Sequence, residues 1–216
     1  MQRGLSLVEL LVGLAVGLLV IASATSLLGV QSREQRTAAA EMRLMQELRA
    51  ATDLVARDLR RAGHWGDPAV ALWAWSASAP QANPYAGFTA GAAGASYAYS
   101  RDAAENHRLD PNEQFGLRLR AGVLELQLGS AGWQAVSDAG SITVTAFELL
   151  PRVQERSLLA HCPNPCPPGA TCELMLQTRS LGLRLAARAV AEPAVQRQLE
   201  ADVLLREPVV RGACPA

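Results

Sequence analysis

Apolar positions change their spacing three times along this chain, and each change predicts a different element. From Leu5 to Val30 the run is apolar with one charge inside it, Glu9. As a helix at ~1.5 Å per residue it reaches ~39 Å, enough to cross a ~30 Å hydrocarbon core. Residues 31–43 are polar, rich in helix formers and free of Pro and Gly, so the helix is predicted to continue. From there Leu44, Leu48, Ala51, Val55, Leu59 and Ala62 recur at spacings of 4, 3, 4, 4 and 3, one stripe of an amphipathic helix. Arg43, Glu47, Asp53, Arg57 and Arg60 fall on the opposite face, and Gly63 stands as a C-terminal cap. One helix from Leu5 to Ala62 is the expectation, its second half packed on a domain.

The period then becomes two. His64 to Ala95 has no periodicity and is read as a loop, with Pro68, Pro80, Pro84, Gly87, Gly91 and Gly94, and Trp65, Trp73 and Trp75, among its residues. Packing of these Trp residues on the sheet is preferred over a binding surface. Tyr97 and Tyr99 alternate in Ser96–Ser100. Phe115, Leu117 and Leu119, then Leu124, Leu126 and Leu128, alternate on either side of Ala121-Gly122, which predicts a β-hairpin. Further strands are expected over Trp133–Val136 and Ile142–Leu150, and around Leu181–Leu185 and Leu199–Leu205. The fold class is therefore α+β, a long N-terminal helix laid on an antiparallel sheet with one face of a meander toward the helix.

Composition narrows the compartment. The 216 residues are half apolar, with 20 Arg, no Lys and 20 acidic residues, so net charge is zero. Neutral charge argues against a general nucleic-acid surface. The absence of Lys reads as a base-composition bias. Arg3 is the only basic flank before the apolar run, which leaves the N-terminus in the cytoplasm and sends the rest across. Four cysteines, Cys162, Cys166, Cys172 and Cys214, are an even count in an exported chain and are disulfide candidates. Three connectivities are open. The prolines between Cys162 and Cys166 disfavour that pair.

Glu9 needs a partner, because a carboxylate in an apolar span is costly and by default functional. No basic residue in the span reaches it, whereas a free amino terminus at Leu5 would. In Gly4-Leu5-Ser6-Leu7-Val8-Glu9-Leu10 the chain resembles the N-terminal signal of type IV pilins and pseudopilins, with Leu5 where Phe is usual. The resemblance implies cleavage after Gly4 by prepilin peptidase and N-methylation of Leu5. It also implies pairing of Glu9 with the amino terminus of an adjacent subunit. The stretch Ala56 to Gly63 resembles the helix end of PilW-like minor pilins. Division of the chain would then be 1–4 leader, 5–30 membrane and filament-core helix, 31–63 its amphipathic continuation, and 64–216 a periplasmic β-rich domain. An ordinary secretory signal, for which Ala22-Ser23-Ala24 offers a cleavage site, explains neither the length of the run nor Glu9. A plain anchor explains the length but not Gly4 and Glu9 together. Gly13 and Gly17 have the spacing of a close-packing helix face.

Other chemistry is weak. His161, Cys162, Cys166, Cys172 and Cys214 could be read as a zinc set, but Pro163, Pro165, Pro167 and Pro168 crowd the loop, and disulfides are preferred. Asp102, Glu105, Asp110 and Glu113 lack the spacing of a calcium loop and are read as a solvated acidic loop. His64 and His107 have no neighbours in sequence that suggest a triad, and no phosphate loop or dinucleotide fingerprint is present. No enzyme, metal or cofactor is expected. The resemblance implies a minor pilin of a type IV pilus that primes assembly or sits near the tip. Its partners would be other minor and major pilins, prepilin peptidase, the inner-membrane assembly platform, a tip adhesin and membrane lipid. A type II secretion pseudopilin of the GspJ kind is the alternative. A competence pilin that captures DNA through Arg152, Arg156, Arg179, Arg184 and Arg188 is a third reading.

Overall fold

The computed structural model describes residues 7–68, 83–91 and 94–215. A single helix, α1, runs from Leu7 to Leu59. Its C-terminal half buries the predicted stripe: Leu44, Leu48, Val55 and Leu59 are fully enclosed, as nearly are Ala51 and Ala62. Burying each of the larger side chains contributes about 1.5–3 kcal/mol. Arg43, Asp53, Arg57 and Arg60 lie exposed on the other face.

The helix stops three residues short of the expected end. Arg61 and Ala62 donate their N–H groups to the carbonyls of Asp58 and Leu59, each at 3.0 Å, which tightens the last turn. Gly63, at φ +81°, donates its N–H to Ala98 at 2.8 Å instead of back to the helix. It hands the chain to a strand and does not cap α1.

Among the described residues nine strands follow, all paired antiparallel. β1 (Phe88–Gly91), β2 (Gly94–Ala98), β3 (Gln114–Arg120), β4 (Val123–Leu128) and β5 (Trp133–Ala135) form one sheet in sequence order. The β3–β4 turn is Ala121-Gly122, with both φ values positive (49° and 79°), the two-residue turn whose twist suits a hairpin. β6 (Ile142–Ser157), β7 (Leu174–Ala189) and β8 (Gln196–Leu204) form a second sheet, and β9 (Val209–Gly212) pairs with the early half of β7. The single meander read from the sequence is thus two sheets. Helix α1 lies against β7 and β8, while the first sheet meets the second along β6. Side chains from α1 and both sheets share one apolar core.

Three further differences have local causes. β1 lies inside the segment read as loop, because Phe88-Thr-Ala-Gly carries too little pattern to register alone and is ordered by pairing Phe88 with Tyr97. β6 runs through Pro151 to Ser157, seven residues beyond the expected end, since it is an edge strand, where a residue without an N–H is tolerated. β9 went unread because its four residues have no alternation of their own.

β8 runs in the same direction as α1. Arg197 at its start bridges Glu41, and just past its end the Arg206 N–H donates to the carbonyl of Arg60 at 3.4 Å. Nineteen helical residues rise ~29 Å and nine strand residues ~30 Å, so the two elements match in length. The turns at 138–141 and 190–195 therefore sit at the Glu41 end of the domain, and His64 with the end of β8 at the other.

Candidate functional site

The surface that departs most from a soluble domain is the first half of α1. From Leu7 to Val30 every residue is exposed, and Leu18, Leu19, Val20 and Ile21, on different faces, are each more than half exposed. This part of the helix has a mean hydropathy of 2.5 over 18 residues and is long enough to cross a membrane. Glu9 is the acidic residue of its first turn, and it too is exposed. Gly4 and Leu5 lie outside the described residues. Gly13 and Gly17 have nothing within 4 Å of where a Cβ would stand, so the close approach they permit is unused within the chain.

What holds this rod to the domain is partly polar. Asp58, in the last turn of α1, is buried and accepts the hydroxyls of Tyr97 and Tyr99, which share one face of the chain around β2. Arg61 donates to the Tyr99 hydroxyl at 3.4 Å and lies over its ring. Tyr99 in turn stacks on Phe115 at 3.8 Å. Burial, then the Asp58 charge, pushes the Tyr99 hydroxyl up to about 12, and the same two causes raise Tyr97 well above the ordinary phenol range. Sequence reading placed Asp58 only within the helix end and missed this anchor. An acidic residue one step from the apolar stripe was the available signal.

The acidic segment 102–113 is not a solvated loop. Glu113 is fully buried and accepts the N–H groups of Arg101 and Asp110, each at 2.9 Å. The Tyr85 hydroxyl shares its proton among Glu105 Oε1 and the Arg108 carbonyl, each at 3.0 Å, and Glu113 Oε1 at 3.4 Å. Burial pushes the Glu105 carboxyl up, but hydrogen bonds from Ser100, the His107 N–H, Tyr85 and the Gly66 N–H outweigh it and hold it below the usual value. These carboxylates serve orphan backbone donors, which is why two of them turn inward. Trp65 is buried with Tyr85 and Ala98, and its indole N–H donates to His107 Nδ1 at 3.2 Å. Trp73 and Trp75 lie outside the described residues.

The cysteines pair as Cys162–Cys214 and Cys166–Cys172. The first ties the chain end to the segment after β6, and the second closes the Pro-rich loop. Both use all four sulfurs, which leaves no thiolate for zinc. Among the described residues no group of three His, Cys, Asp or Glu side chains is placed to hold a metal ion.

Of the arginines considered for DNA, Arg156 and Arg188 are exposed at opposite ends of the β6–β7 pair and the other three are engaged within the domain. Arg152 pairs with Asp202 at 2.8 Å, and Arg184 sits between Glu148 and Glu200 at 3.6 and 3.9 Å. Arg179 is half-buried, its Nη1 donating to the Ala86 carbonyl at 3.3 Å, and its charge is disfavoured first by burial and then by Arg211.

No curated protein matches the chain, and no solved structure matches it. A family model does, over residues 37–205, which takes in the buried half of α1 and all strands through β8. That is well over half of the chain, and the chain belongs to the family of prepilin peptidase-dependent protein B.

Proposed function

We propose that the protein is a minor pilin of a type IV pilus. It is cleaved after Gly4 by prepilin peptidase, N-methylated at Leu5, and held in the inner membrane by one span with its β-rich domain in the periplasm. The observation that carries the reading is a single helix with two solvation regimes. Residues 7–30 are apolar and exposed all round, and from Leu44 onward the same helix is locked into a folded core. A surface of that kind needs lipid or other apolar helices, and a filament supplies the second when the subunit leaves the first. Family membership supports a place in a pilus-type assembly. Glu9 then meets the amino terminus of a neighbouring subunit. At ~4 Å and an effective dielectric of ~20 the attraction is ~4 kcal/mol before desolvation is subtracted, so the pair sets register more than it adds stability. Other minor and major pilins, the assembly platform and a tip adhesin are the partners this role requires.

Intact mass with N-terminal fragmentation tests it, on protein extracted from cells with and without prepilin peptidase. A chain that starts at methylated Leu5 only when the peptidase is present is the expected result. A start near Thr25, or an uncut chain in both strains, overturns the proposal.

A further inference from the structure

Beyond the rod, the domain carries a concavity of about 450 Å³ lined by Arg61, His64, Tyr99, Ser100, Arg101 and Arg206. Three guanidinium groups and an imidazole converge on it from three parts of the chain: the turn after α1, the segment after β2 and the segment after β8. Among the described residues, no carboxylate comes within 4.0 Å of the side-chain nitrogens of Arg61, Arg101 or Arg206, and His64 Nδ1 faces Glu207 at 3.0 Å. Two of the arginines are held in place by aromatic rings: Arg61 lies 5.4 Å from the Tyr99 centroid and Arg101 6.0 Å from that of Phe115. The cleft is pre-oriented and its three guanidinium groups have no direct carboxylate partner among the described residues, a combination that favours anionic partners with planar oxygen pairs.

Its position selects among anions. The cleft sits past the end of α1, and helix from Val30 to Leu59 rises ~44 Å, several times the ~8 Å screening length, so a lipid headgroup at the membrane surface is out of range. Nucleic acid needs a continuous basic track, and on the outer face of the second sheet Arg152 and Arg184 are paired with Glu148, Glu200 and Asp202, while Arg156 and Arg188 stand at opposite ends of the β6–β7 pair. We infer that this cleft receives the carboxylate side chains of an acidic segment on another protein subunit, docked on the domain end farthest from the membrane. On the filament reading above, on which this partner rests, that end faces the next subunit outward or the tip.

The test uses the full chain in detergent micelles and a fluorescent oligoglutamate peptide, followed by anisotropy. Arg101→Glu and Arg206→Glu are each expected to weaken binding by about tenfold or more, and Arg156→Glu and Arg188→Glu to leave it within about twofold. Near-UV circular dichroism checks the fold, and Arg101→Gln replaces Arg101→Glu if the reversal disturbs it. Absence of peptide binding, or equal binding by all variants, overturns the inference. Displacement by inorganic phosphate at equal concentration assigns a small-anion site and overturns the protein partner, as does tighter binding of a single-stranded oligonucleotide. None of these readouts depends on N-terminal processing, so the inference and the filament proposal fail separately.

Discussion

Tyr99 donates its hydroxyl proton to Asp58 Oδ1 at 3.1 Å, across 41 residues of chain, and so fixes the end of a 53-residue helix to the start of the sheet. Tyr97 donates to the other oxygen of the same carboxylate. Replacing Asp58 by Ala leaves two buried hydroxyls without an acceptor and is expected to cost about 2–4 kcal/mol. Asp58→Asn, which keeps one good acceptor, should cost less. Denaturant unfolding of the full chain in micelles measures both, and a loss under about 1 kcal/mol for the Ala variant would remove the anchor role.

Alkali should unfold the domain through the same contact. All three tyrosines of the chain, Tyr85, Tyr97 and Tyr99, are raised, each first by burial. In the unfolded chain they ionise near pH ~10. The stability they contribute is therefore complete below that pH and lost as pH rises from ~10 toward and beyond the folded value of about 12 for Tyr99. Tyrosinate absorbance and near-UV dichroism should change together in that window. Ionisation of all three near pH ~10 with the fold intact would contradict the burial and the Asp58 contacts.

The two disulfides should differ in weight. Cys162 and Cys214 are 52 residues apart and Cys166 and Cys172 only 6. On the chain-entropy account, removing the first as a double Ser variant costs ~4 kcal/mol and removing the second ~2. The first should also raise amide exchange in β9, which follows β8 and pairs only with β7. Equal losses in the two variants would place the stabilisation elsewhere than in the length of the closed loop.

Identical substitutions on the two halves of α1 should have opposite consequences. Leu44→Ala opens a cavity at a fully buried site and is expected to lose about 2–5 kcal/mol of domain stability. Leu14 is 58% exposed, so Leu14→Ala should leave domain stability within about 0.5 kcal/mol while reducing recovery of the subunit in sheared filaments. Filament recovery unchanged by Leu14→Ala combined with Leu18→Ala would count against the role of this surface.

Local pattern was enough wherever one residue's neighbours in space are its neighbours in sequence. The stripe from Leu44 to Ala62, the Ala121-Gly122 hairpin and the apolar run before Val30 are of that kind. A 3.6 or 2.0 period is a property of a few consecutive residues and survives without the rest of the chain.

Tertiary structure decided what depends on distant residues meeting. The division into two sheets, the strand at Phe88–Gly91, and the partner of each cysteine are set by which segments pack together, and a period of two says nothing of order. Glu113 looks in sequence like one more acid in a polar loop, yet it is buried because backbone donors at Arg101 and Asp110 had to be satisfied there. Asp58 reads as a polar residue of an amphipathic helix and becomes an anchor only when Tyr97 and Tyr99 arrive from the sheet. The sequence alone determined which half of the helix is apolar on every side; the fold determined that the other half alone is covered, because only residues from about Ala40 onward meet the domain.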